Sequence, residues 1–166
     1  MHIRFYPLQL IVVGLMAIVL LLYVFQPDRQ PLALVQMIGF VPGLLVGLVF
    51  SSFDGVVGCF SGSAAQIAFP LSLSFHLFTS GRHFLSSLTV FWTSQSLFDV
   101  ALYAKDARAL TYTLVGGPGH VWNALLSRLE LLELDQFIGT LIYLCGVFAL
   151  LVALAIGLLA ARKPAA

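Results

Sequence analysis

Residues 8–25 read LQLIVVGLMAIVLLLYVF, and residues 137–161 read FIGTLIYLCGVFALLVALAIGLLAA. Neither run holds a charged residue. A hydrocarbon core about 30 Å thick is crossed by about 20 helical residues. A helix bonds its own backbone groups within one segment, which an isolated strand in lipid cannot do. Both runs are therefore expected to be membrane-spanning helices. They set the fold class: an all-α, polytopic membrane protein.

Three further segments have similar length, at about 34–50, 56–78 and 84–104. The boundary between the first two of these rests on Ser51, Ser52, Phe53, Asp54 and Gly55. The expectation is five spans in one membrane domain covering 1–166. The sizeable connection is 105–136. It opens with Lys105, Asp106 and Arg108 and passes a Gly116-Gly117-Pro118-Gly119 turn. A helix over about 120–134 follows. Trp122, Leu125, Leu126, Leu129 and Leu132 fall near one face, and Asn123, Ser127, Glu130 and Glu133 near the other. Such an amphipathic helix lies flat in the membrane interface or packs on the end of the bundle.

Composition agrees with this. Of 166 residues, 60% are hydrophobic and 9% charged, against about 25% charged in soluble domains. The net charge of +1 calls for no nucleic-acid partner. Five crossings put Arg4, Lys105, Arg108 and Arg128 on one side and Arg29, Arg82, Arg162 and Lys163 on the other. With four against four, the positive-inside rule favours neither orientation. The leading run is too long for a signal-peptide core, and Gln26, Pro27, Asp28 and Arg29 follow it instead of a cleavage site. It is expected to stay as an anchor. Cys59 and Cys145 lie in apolar runs and read as small buried side chains, not a disulfide.

The second segment carries Gly39, Gly43 and Gly47, each four apart, and the third carries Gly58, Gly62 and Ala65. Small residues at this spacing let helices approach closely. The expectation is tight packing of these two helices on each other or on a partner. The alternative is room for a tetrapyrrole, quinone or carotenoid against bare backbone. Pro42 should bend the second helix.

An ionisable group inside a span is costly and suggests function. Asp99 is the sharpest case, with Gln95 and Tyr103 one turn to either side and Ser96 on the same inward stripe. It reads as a metal ligand or proton carrier, or as a structural carboxylate paired with Lys105 or Arg108. His76 and His83 flank the loop that holds Arg82, and His120 follows the glycine turn. Asp99, His120, His83 and Asp106 are the metal-ligand candidates. A zinc site needs three or four such groups converging. No His pair at i, i+4, no Cys-x-x-Cys, no Gly-x-Ser-x-Gly and no phosphate-binding or dinucleotide-binding glycine motif occurs. Gln66 and Trp92 read as packing and hydrogen-bonding residues.

The stretch Gln95-Ser96-Leu97-Phe98-Asp99-Val100, the segment from Ser61 to Pro70, and Gly119-His120-Val121-Trp122 together resemble a bacterial family of small membrane proteins related to site-2-protease-type zinc metallopeptidases. The resemblance covers roughly residues 40 to 160. In that family a His-Glu-x-x-His helix precedes a Gly/Ser-rich segment ending in Gln and Pro. A Gln-Ser-Leu-x-Asp-Val segment and a Gly-His-Asp-Trp turn follow. Here the ungapped position of the zinc helix is Gly43-Leu44-Leu45-Val46-Gly47, and the turn Asp is Val121. Glycine can neither bind zinc nor activate water. The resemblance therefore implies a degenerate member: a metallopeptidase-like scaffold without its catalytic residues. The leading expectation is a non-catalytic accessory or structural subunit of a membrane complex, in the bacterial cytoplasmic membrane, touching lipid and other integral subunits. A metal-dependent membrane enzyme using Asp99 and His120 is the first alternative. A cofactor- or pigment-contacting subunit is the second.

Overall fold

The computed structural model describes residues 6–26, 55–111 and 121–162. Five α-helices and no strand lie among them. We number them α1 (Pro7–Phe25), α2 (Gly55–Thr79), α3 (His83–Lys105), α4 (Val121–Arg128) and α5 (Asp135–Ala160), with a single 3-10 turn at Leu132–Leu134. Two are long and apolar enough to cross a membrane: Pro7–Phe25, and the run Leu132–Ala160 that contains α5. These are the two runs that set the fold class in the sequence. The segments expected to be the third and fourth spans are the helices α2 and α3, of 25 and 23 residues, which are not among the two helices apolar enough to cross. The expected second span, about 34–50, lies outside the described residues, with Gly39, Gly43 and Gly47.

α3 is the axis of the bundle, and it is the polar helix. Its buried residues include Ser86, Ser87, Thr93, Ser94, Gln95 and Ser96. Such residues weaken a helix in water because their side chains compete for the backbone. In a dry core the same competition satisfies them. Ser87 donates to the Phe84 carbonyl at 2.7 Å, Thr93 to Thr89 at 3.0 Å, and Ser94 to Phe91 at 2.7 Å. The apolar helices stand outside. Leu8, Ile11, Leu15 and Ile18 of α1 and Phe137, Leu144 and Phe148 of α5 are all exposed.

α5 lies antiparallel along α3. A Cβ at Gly139 would meet the Lys105 side chain and lie 3.0 Å from the Ala101 carbonyl oxygen. One at Gly146 would lie 2.8 Å from the Phe98 ring, and one at Gly157 would lie 3.2 Å from the Ser87 hydroxyl. α2 is also antiparallel to α3, with Ser74 beside Ser86 and Gln66 beside Asp99. α1 runs antiparallel to α5. The Tyr6 N–H donates to the Ala161 carbonyl at 3.0 Å, and Tyr143 donates to the Tyr23 carbonyl. Phe25 and Gly55 thus lie at the same end of the bundle, and Tyr6 and Ala161 lie together at the other. Five alternating single crossings would put Phe25 and Gly55 at opposite ends. The four long helices alternate in direction along the bundle.

The expected helix over 120–134 is shorter than the sequence suggested. α4 has eight residues and stops at Arg128. Glu130 turns left-handed at φ 57°, the Leu131 N–H bonds the Leu126 carbonyl at 2.8 Å, and the Glu130 N–H bonds Ser127 at 3.2 Å. These two bonds form a Schellman cap, which ends a helix by satisfying its last carbonyls. The apolar face is real. Trp122 and Leu126 bury against Val100, Ala104 and Ala107. The helix therefore packs on the end of the bundle. α2 ends in the same cap, built on Gly81 at φ 75° with Arg82 bonding the Leu77 carbonyl at 2.9 Å. Cys145 is exposed on α5, not buried as expected. It falls on the outward stripe with Leu144 and Phe148.

Candidate functional site

The candidate residues cluster on the inward stripe of α3. Positions 92, 96, 99 and 103 follow the helical repeat, and α2 packs against them. Gln66 Nε2 donates to Asp99 Oδ2 at 3.0 Å. Phe69 meets the Trp92 ring edge-on at 5.8 Å. Pro70, buried inside α2, has no N–H to bond the Gln66 carbonyl one turn back. Two buried donors on the stripe, Trp92 Nε1 and Ser96 Oγ, have no hydrogen-bond partner among the described residues. Trp92 thus packs as expected, but its indole N–H finds no partner among those residues.

A quarter turn away, α3 faces α1. Tyr23 donates to Gln95 Oε1 at 3.0 Å, and both are almost fully buried. The Tyr23 ring stacks on Phe98 at 4.2 Å between centroids. This ties α1 into the core at its far end. Nearer the α2–α3 loop, the hydroxyls of Ser74 and Ser86 lie 3.1 Å apart, and Ser86 donates to the Ser74 carbonyl at 3.0 Å.

The expected pairing of Asp99 with Arg108 does not form. Arg108 Nη2 bonds Asp135 Oδ1 at 2.7 Å. That hydrogen bond, and then the charge of Asp135, hold the Arg108 guanidinium above its ordinary value. Asp135 is 1% exposed and opens α5. A buried carboxylate needs such a partner, and the helix N-terminus also favours its charge. The Lys105 ammonium lies 5.3 Å from the centre of the Tyr143 ring. Beside this pair, Gln136 Nε2 donates to the Lys105 carbonyl at 2.7 Å and Asn123 Nδ2 to Ala107 at 2.8 Å. The expected loop 105–136 is in this way tied to the bundle end at several points.

The other metal-ligand candidates are not brought to Asp99. His83 opens α3 and is exposed, with its ring against Phe78. At about 1.5 Å per residue, His83 lies roughly 24 Å along the helix from Asp99. Asp106 follows the last residue of α3 and accepts the Thr111 N–H at 3.0 Å, so it closes a turn. His76 is exposed near the end of α2. His120 lies outside the described residues. Among the described residues no three His, Cys, Asp or Glu side chains group to hold a metal. Gly58 and Gly62 lie in α2, and Gly62 is half-buried.

The tightest helix contact uses other small residues. Gly139, Gly146 and Ala153, seven apart, and then Gly157 are all buried on α5. A seven-residue repeat keeps one face of a helix on its neighbour. The spacing is visible in the sequence but is hidden among many apolar residues that look alike. Comparison with models of protein families, with curated proteins and with solved structures finds no match to this chain.

Proposed function

We propose that the chain is an integral membrane protein that serves as a non-catalytic accessory or structural subunit of a larger complex, on a metallopeptidase-like scaffold in a bacterial cytoplasmic membrane. One observation carries the membrane part: the bundle is inverted. Its most polar long helix is its axis, and its two most apolar helices lie at its surface. Only 11% of the apolar stretch of α1 and 22% of that of α5 is buried. Soluble monomers rarely expose apolar patches above a few hundred Å², whereas lipid solvates them without cost.

In this reading α1, α2, α3 and α5 are four crossings, and both ends of the described chain are on one side. A crossing by 34–50 would need another to restore the parity between Phe25 and Gly55. Single-cysteine variants in a chain lacking Cys59 and Cys145 test this. Ser80→Cys and Arg162→Cys should react from one face of a sealed vesicle, and Gln26→Cys and Ala109→Cys from the other. Labelling of Ser80→Cys and Arg162→Cys from opposite faces would refute it.

The subunit part is supported by how the polar groups are used. Asp99 is held by Gln66, Gln95 by Tyr23 and Ser74 by Ser86, all between helices. Polar residues bridging helices are a packing device in membranes. Purification in mild detergent should recover stoichiometric integral partners. A lone, monodisperse monomer would overturn this part and leave the membrane part standing.

A further inference from the structure

We propose that the groove at the Arg82 end of the bundle docks an anionic phospholipid, with one acyl chain in the groove and the phosphate on Arg82 and His83. The proposal rests on the membrane reading above. The groove has a volume of about 510 Å³ and is lined by Leu71, Ser74, Phe75, Phe78, Ser86 and Ile156. Its three serine hydroxyls are already bonded: those of Ser74 and Ser86 to each other, that of Ser86 also to the Ser74 carbonyl, and that of Ser72 to the Ala68 carbonyl. A satisfied hydroxyl places no demand on an occupant, so hydrocarbon suits the groove.

What lies at its mouth selects the headgroup. Phe78 lines the groove and holds the His83 ring at 4.9 Å. Arg82 precedes His83 in sequence. Both are exposed, and Arg82 makes no ion pair among the described residues. Arg162 closes the same end, where Tyr6 meets Ala161.

Among the described residues no acidic residue answers these charges. The acids of the chain are Asp28, Asp54, Asp99, Asp106, Glu130, Glu133 and Asp135. None falls between Gly55 and Phe98, before Gln26 or after Asp135, so α1, α2 and α5 bring none to this end. A cationic end without counter-charge, beside an apolar groove between helices, complements a lipid phosphate and its chain.

The test uses the full chain in nanodiscs of phosphatidylcholine with phosphatidylglycerol. Native mass spectrometry reads the lipid retained after release. The wild type should keep phosphatidylglycerol over phosphatidylcholine. Arg82→Gln should cut the retained phosphatidylglycerol about tenfold, as expected for a lost charge-assisted bond. Arg82→Lys should keep most of it. Arg162→Gln should change it by less than about twofold, since surface charge alone acts weakly. Ser72→Trp, from the exposed wall of the groove, should displace both lipids.

Equal retention of the two lipids would overturn the proposal. So would equal losses in Arg82→Gln and Arg162→Gln, which mean a diffuse field. Displacement of the lipid by inorganic phosphate would assign the site to the anion alone, and a lipid-free dimer would assign the groove to a second copy. Failure of the membrane reading looks different: the chain would stay in solution without detergent, before any lipid is measured.

Discussion

α3 is packed on two sides by opposite means. Against α5 it meets absence: Gly139, Gly146 and Gly157 leave no side chain where a Cβ would collide. Against α2 it meets partners: Gln66 bonds Asp99, and Ser74 bonds Ser86. The first interface gains from dispersion along a smooth seam and tolerates nothing larger. The second gains from hydrogen bonds and tolerates shape changes if both partners change together. A polar axis can therefore be held between apolar neighbours by close fit on one side and paired hydrogen bonds on the other.

The largest test enlarges the smooth seam. Gly146→Leu should force α5 off Phe98 and cost about 3 kcal/mol, read as a fall in the thermal midpoint in detergent. Phe148→Leu, on the exposed face of the same helix, is the control. Equal effects would break the contrast between seam and surface. Next comes the polar interface. Gln66→Leu leaves Asp99 short of a donor and should cost about 1–2 kcal/mol. The double variant with Asp99→Leu should recover part of that loss. A cycle coupling of about 0.6–1.7 kcal/mol fits bonds measured in other membrane bundles. Additive losses would mean that the pair contributes nothing.

A smaller effect concerns the two helix caps. Gly81 and Glu130 occupy the same left-handed position in the same motif. Gly81→Ala should destabilise by about 1 kcal/mol, and Glu130→Gly should stabilise by roughly 0.5–1 kcal/mol. The opposite signs, read in urea or heat, sharpen the point that one cap is strained and the other is not.

Much of the bundle was legible from pattern alone. The charge-free runs became α1 and α5 within two residues at each end. The Ser80-Gly81-Arg82 turn falls where the third and fourth segments were separated. That Gln95, Ser96 and Asp99 turn inward was readable from helical spacing, though Gln95 faces α1 and the other two face α2. Their partners were not, because Tyr23 and Gln66 are separated from Gln95 and Asp99 by 72 and 33 residues. Arg108 could have reached Asp99 or Asp135 on sequence spacing. The structure chose Asp135 because the turn after α3 carries Arg108 to the start of α5. The helix at 121–128 was expected to run on because its apolar spacing continues through Leu129 and Leu132. The cap at Glu130 ends it, and nothing in local propensity asks a glutamate to take a left-handed turn.

Composition and run length, by themselves, determined that this chain is helical and holds two segments apolar enough to cross a membrane. Those are properties of each segment against its solvent, and each segment carries them alone. The tertiary structure decided which helix lies at the centre and that Tyr6 and Ala161 share one end. Both depend on contacts between distant residues, such as Tyr6 with Ala161 and Gly157 with Ser87. Hydropathy ranks a helix by its average. Packing ranks it by which atoms fit, and in this bundle the more polar helix fits inside.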